Sequence, residues 1–171
     1  MKYLDKYLQY LQYQRNYSID TVISYKRDIV EFLDYIEEYN LDMYDFSYEE
    51  VRKYLVYLNK KKDKNSTVSR KISSLRSFYK FLAKREIVEN NPFSLVSLPK
   101  KEKKLPRFFY YNELELLFQT PRLDTVLGQR DRLILEMLYA TGVRVSELVN
   151  IKLSDISGKE IRIVGKGNKE R

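Results

Sequence analysis

The chain has no cysteine and no histidine among its 171 residues. Without thiols it can form neither a disulfide nor a thiolate metal site, which suits a reducing cytoplasm. An uninterrupted apolar run is also missing at the start: MKYLDKYLQYLQYQ spreads charges through an amphipathic pattern, unlike a signal peptide or a membrane span. The expectation is a soluble, cytoplasmic chain with no membrane partner. Acidic residues are absent from Asn65 to Lys84, so the cations of that stretch have no acidic partner within it. Proline is scarce, and three of the four prolines fall between Pro92 and Pro106. That segment reads as an extended, fairly stiff connector.

What the chain does have is basic charge, with 32 Lys and Arg against 24 Asp and Glu and a formal net charge of +8. Such a balance favours a polyanionic partner over an acidic substrate. Residues 1–90 hold 17 basic and 14 acidic groups, residues 91–107 hold 5 and 1, and residues 108–171 hold 10 and 9. Half of the excess therefore sits in the connector, on Lys100, Lys101, Lys103 and Lys104 among others. Two readings of those lysines stay open: they lie against nucleic acid held by two flanking domains, or they solvate a linker. The expected division is a helical domain over 1–90, a linker over 91–107 and a second domain over 108–171.

The first ninety residues divide into four helical segments. Tyr3, Tyr7, Tyr10 and Leu11, or Leu4, Leu8 and Leu11, recur at helical spacing in the first; Ser18 caps the second, whose apolar stripe runs Val22, Tyr25, Ile29, Phe32, Leu33 and Ile36. Ser47 with Glu50 forms a capping box for the third, and Asn65 or Ser66 caps the fourth. On a wheel of about 100° per residue, Val68, Ile72, Leu75, Tyr79 and Leu82 share one side of the fourth helix. Ser69, Arg70, Ser73, Arg76, Ser77, Lys80 and Lys84 gather on the other. Short serines between unneutralised cations let a phosphate backbone approach closely, so Arg70, Lys71, Ser73, Arg76, Ser77 and Lys80 are the nucleic-acid candidates. The bland alternative is an ordinary solvated basic face.

In the second domain, Asn112 and Glu115 resemble a capping box, and a helix is expected from about Gln129 to Ala140 with Leu133, Leu135, Met137 and Leu138 mostly in the core. The string ATGVRVSEL, Ala140 to Leu148, reads as that helix loosening at Thr141 and Gly142, so that Arg144 opens a third helix with its side chain held by local packing. Its planar guanidinium suits two phosphate oxygens and stays charged. Glu147 lies one turn on, placed to orient it. In IRIVGKGNKER, Ile161, Ile163 and Val164 read as a strand entering a hairpin with Lys166 at its tip. Alone, each is an ordinary surface feature.

Together, in this order, these strings resemble the start of the catalytic domain of the tyrosine recombinase (phage integrase) family, in its Xer-type chromosome-dimer resolvases. The resemblance continues back through Gln129 to Tyr139, through the connector PKKEKKLPRFFYYNELELLF, which looks more like the XerC than the XerD type, to TVSRKISSLRSFYKFL at Thr67 to Leu82. It implies a mainly α fold: a four-helix, SAM-like core-binding bundle, the linker, and the helical start of a truncated catalytic domain with a short β-hairpin region. It implies that the fourth helix lies in the DNA major groove, with Thr21, Tyr25 and Arg27 as weaker contacts. The implied chemistry is metal-free and cofactor-free: a tyrosine attacks the scissile phosphate, Arg144 stabilises the non-bridging oxygens, and Lys166 helps protonate the departing 5′-oxygen. The implied partners are a double-stranded recombination site and a second Xer-type recombinase in a tetramer. The family's second arginine, its flanking histidines or tryptophan and its nucleophilic tyrosine have no match here, so these residues are expected not to cleave DNA, and Lys166 to Arg171 to be poorly ordered beside an unpaired strand edge. Two other functions fit the same residues: a stand-alone DNA-binding module, and a basic helical protein that binds nucleic acid without regard to sequence.

Overall fold

The computed structural model describes residues 2–98, 105, 107–165 and 170. The chain forms two compact units, residues 1–104 and 105–171.

The first unit is built from four helices: α1 (Lys2–Gln9), which runs on as a π-helical turn over Tyr10–Gln14, then α2 (Ile19–Glu38), α3 (Tyr48–Lys60) and α4 (Asn65–Ala83). Local caps set two of their starts. The Ser18 hydroxyl accepts from the Thr21 backbone N–H at 3.4 Å. Ser47 and Glu50 exchange reciprocal bonds, 2.6 Å from the Ser47 N–H to the Glu50 carboxylate and 3.3 Å from the Glu50 N–H to the Ser47 hydroxyl. At α4 the expectation is corrected: Lys64 occupies the cap position and no side chain caps it.

The core of this unit is largely aromatic. Tyr7, Phe32, Tyr54, Phe78, Tyr79 and Phe93 are its largest fully buried side chains. Phe32 sits at the middle, edge-on to Phe46 and Tyr54, each at 5.1 Å, and to Phe93 at 5.6 Å. Tyr7, Tyr35, Tyr54 and Tyr79 are core residues, whereas Tyr13, Tyr39, Tyr44 and Tyr48 are exposed, and the Tyr79 hydroxyl donates to the Met43 carbonyl at 2.9 Å. Phe93 and Val96 are buried in this cluster, so the helical unit runs past residue 90 and takes in the first part of the proline-containing connector.

The second unit contains α5 (Tyr111–Gln119), α6 (Val126–Thr141), α7 (Val145–Leu148), a 3-10 turn at Leu153–Asp155, and a two-residue hairpin of β1 (Ile156–Ser157) with β2 (Glu160–Ile161). The capping of α5 falls earlier than expected: the Glu113 carboxylate accepts the Tyr110 N–H at 2.8 Å, with no role for Asn112 or Glu115. Helix α6 starts at Val126, because the Thr125 hydroxyl accepts the Gly128 N–H at 3.1 Å. It ends at Gly142, whose φ of 60° is the left-handed cap conformation that glycine adopts without strain.

The core expected along α6 is only partly present. Leu133 is 59% exposed, while Leu135, Met137 and Leu138 are half-buried, and Val143 and Ile163 are the buried apolar residues of the unit among those described. Short elements cannot surround a sixteen-residue helix, so much of its apolar surface faces outward. The β-branched segment also differs from the expectation, since Ile161 pairs backward with Ile156. Val164 forms an antiparallel bridge with Glu170, so this edge is paired there. Among the described residues, no helix is long and apolar enough to cross a membrane.

Candidate nucleic-acid interface

The polar face of α4 carries the sequence candidates, and the structure sorts them by partner. Arg70 is exposed over 42% of its side chain and donates through Nη1 to Asp28, a carboxylate of α2 that is 1% exposed. Ser74 donates to the other Asp28 oxygen at 3.1 Å. The ion pair anchors one guanidinium nitrogen of Arg70 on a buried carboxylate, while the arginine side chain stays partly exposed. Ser73 is half-buried and donates to the Ser69 carbonyl at 2.7 Å. Lys80 is exposed, and Ser77 is half-buried beside it.

Lys71 and Arg76 are placed differently. The Lys71 ammonium, on a side chain 6% exposed, lies 2.7 Å from Glu31 and 2.6 Å from Asp63. It links α4 to α2 and to the turn before α4, and is spent inside the bundle. Arg76 donates to the Phe93 carbonyl at 2.9 Å and the Val96 carbonyl at 2.5 Å, clamping the start of the connector onto α4. Both were expected to face nucleic acid because no acid occurs within α4. Acids on α2 and in the turn before α4, and carbonyls beyond the helix, supply the partners instead.

On α2, Thr21 shares a 2.8 Å hydrogen bond with the Ser18 hydroxyl, Tyr25 stands edge-on to Tyr17 at 5.9 Å, and Arg27 is exposed. Lys100, Lys101, Lys103 and Lys104 lie outside the described residues, as does Lys166.

Burial and charge act in opposite directions on the two carboxylates beneath α4. Burial pushes Asp28 above the usual carboxylate range, and Arg70 and Ser74 offset that only in part. Burial acts on Glu31 too, but hydrogen bonds from Lys71 and Lys61 outweigh it and hold Glu31 below its ordinary value. A depressed carboxyl adds stability that is present above its unfolded pKa and lost as pH falls through the folded one; the raised Asp28 carboxyl contributes in the opposite sense. Glu31→Gln is therefore expected to destabilise the helical unit by about 1–2 kcal/mol near neutral pH. Thermal melts should show the difference from the wild type closing as pH falls below the ordinary carboxylate range. A gap that persists in acid would mean that the loss is one of packing.

In the second unit, Arg144 occupies the N-cap position of α7, one residue after Val143 and two after the left-handed Gly142. Its Nη1 lies 2.7 Å from Glu147, whose side chain is only 7% exposed while that of Arg144 is 62% exposed. The other Glu147 oxygen accepts the Arg144 backbone N–H at 2.9 Å. One carboxylate thus contacts both the backbone at the turn and the guanidinium. The arginine is presented to solvent at a helix N-terminus, where backbone dipoles also favour an anion.

Residues 4–86 match the model of the phage integrase N-terminal SAM-like domain, and residues 107–171 match that of the phage integrase family. The chain belongs to the phage integrase family. Among curated relatives of this integrase chain are proteins named tyrosine recombinase XerC. That of Anoxybacillus flavithermus is 49% identical over 171 residues, covering 98% of this chain and 57% of the relative. That of Staphylococcus haemolyticus is 49% identical over 167 residues, covering 96% and 56%. The chain therefore spans a little over half the length of the relatives it matches.

Solved integrases share the fold. A lambda integrase dimer bound to a COC′ core site aligns with a TM-score of 0.74 at 20% identity, over 99% of this chain and 47% of that one. The Tn1549 transposon integrase in complex with a circular intermediate DNA aligns at 0.72 and 14%, over 98% and 55%.

Proposed function

We propose that this chain is the DNA-gripping part, with the first catalytic residues, of an XerC-like site-specific recombinase. The whole protein would cut and rejoin strands through a 3′-phosphotyrosine link to resolve chromosome dimers, in a tetramer with a second Xer-type recombinase on double-stranded DNA in the cytoplasm. The observation that carries the reading is the 49% identity to a protein named tyrosine recombinase XerC across 98% of the chain.

The geometry supports it in two places. On α4, Arg70, Ser73, Ser77 and Lys80 form a polar row that a major groove can receive, with Arg27 a further exposed cation on α2. Arg144 supplies a preset fork for the non-bridging oxygens of the scissile phosphate, with Glu147 orienting it. Lys166 is the proposed donor to the departing 5′-oxygen, and Lys100, Lys101, Lys103 and Lys104 are proposed backbone contacts. The DNA grip is the part of that function proposed for these 171 residues.

Fluorescence anisotropy against a duplex carrying a chromosome-dimer resolution site and a scrambled duplex, across a salt series, tests this. A preference for the site that survives physiological salt is expected. Arg70→Ala with Lys80→Ala should weaken binding about tenfold or more and flatten the salt dependence. Equal affinity for both duplexes would overturn the site-specific reading and leave a nonspecific basic protein.

A further inference from the structure

Where the π-helical turn after α1 meets the C-terminal end of α4, a cavity of about 290 Å³ opens with Arg15, Lys80, Lys84 and Arg85 in its lining. Tyr10, Ser77 and Phe81 complete the wall, and no acidic residue contributes to it. Among the described residues, no carboxylate lies within ion-pair distance of any of the four cations. Four like charges around one small space repel each other unless an anion enters. At about 30 Å³ per water, the space equals about ten water molecules, enough for a hydrated phosphate group.

Aromatic contacts reach two of these cations, Arg85 and Arg15. The Arg85 guanidinium carbon lies 3.7 Å from the Phe81 ring centroid and 5.8 Å from that of Tyr10. Stacking fixes the plane of the fork and leaves its N–H edges available to phosphate oxygens. The wide turn at Tyr10–Gln14 closes with a 3.1 Å bond from the Arg15 N–H to the Tyr10 carbonyl, and the Arg15 guanidinium carbon, also in the lining, lies 6.0 Å from the Tyr17 ring centroid. Such π-turns are rare and occur frequently at functional sites.

Ser77, Lys80 and Lys84 continue the row that begins at Arg70. From Arg70 to Lys84 the helix advances about 21 Å. A major groove is about 12 Å wide, so a helix whose middle enters it delivers its end to the flanking backbone.

We propose that this pocket takes one backbone phosphate of the duplex beside the groove that α4 enters, with Arg85 and Arg15 as the paired donors. The proposal rests on the DNA-binding reading above. Arg15→Gln with Arg85→Gln is expected to weaken duplex binding about tenfold and to lower the log-log salt slope by about one. The loss should be equal for cognate and scrambled duplexes, because every duplex offers a backbone phosphate there. Arg85→Lys, which keeps the charge and loses the fork, should recover only part of the affinity.

Unchanged affinity and slope in the double variant, with an unchanged thermal melt, would overturn the proposal while leaving the general DNA reading intact. If the double variant melts early, the Arg85→Lys comparison decides in its place. Should the wild-type chain bind no duplex at all, both readings fail. Inorganic phosphate followed by the arginine Nε–Hε NMR signals would then show whether the pocket takes free phosphate, and a response of Arg15 and Arg85 to phosphate without any to DNA counts against a backbone role.

Discussion

Phe32→Ala is expected to lower the melting temperature of the helical unit by about 20 °C. Phe32 is fully buried and touches rings from four directions: Phe46 before α3, Tyr54 within it, Tyr79 on α4 and Phe93 in the connector. Alanine removes the transfer energy of the ring and leaves a cavity that these rigid neighbours cannot close, at a cost of about 3–5 kcal/mol. Against a total stability of about 5–15 kcal/mol this is a large share, and each kcal/mol shifts the midpoint by about 4–8 °C in a domain of this size. Circular dichroism melts would check it. A shift below about 5 °C would mean that the aromatic cluster repacks, and that Phe32 is not its keystone.

Arg144→Ala is expected to lower strand cleavage by about 10²–10³-fold in a chain extended with the C-terminal segment of the Anoxybacillus relative. On the role proposed for it, the arginine acts on charge that builds in the transition state, so the loss should appear in the cleavage rate on a suicide substrate, with site affinity little changed. Glu147→Gln keeps the size of the carboxylate but loses the ion pair at 2.7 Å, and should cost less than the arginine itself. Full cleavage by Arg144→Ala would remove its proposed role.

The two halves of the chain differed in how much could be read directly. Helix starts at Ser18 and Ser47 were legible because a cap is made within three residues of chain. The Arg144–Glu147 pair was legible for the same reason: the two residues lie three positions apart, and a helix brings such residues together. At α5 the same kind of reasoning missed by two residues, since Glu113 and Glu115 offer equivalent carboxylates and only the course of the backbone before Tyr111 selects between them.

The sequence alone thus determined the helical class, the caps at Ser18 and Ser47 and the Arg144–Glu147 spacing, because each depends on periodicity, capping or short spacing. Tertiary structure decided which cations remain available. Arg70 and Lys71 meet Asp28 and Glu31 across separations of 42 and 40 residues, and Arg76 meets carbonyls 17 and 20 residues away. It likewise brought Arg15 and Arg85 to one cavity from opposite ends of the helical unit. Charge along a chain is additive and can be counted, whereas neutralisation depends on distances of a few ångströms, which only the packing of helices sets.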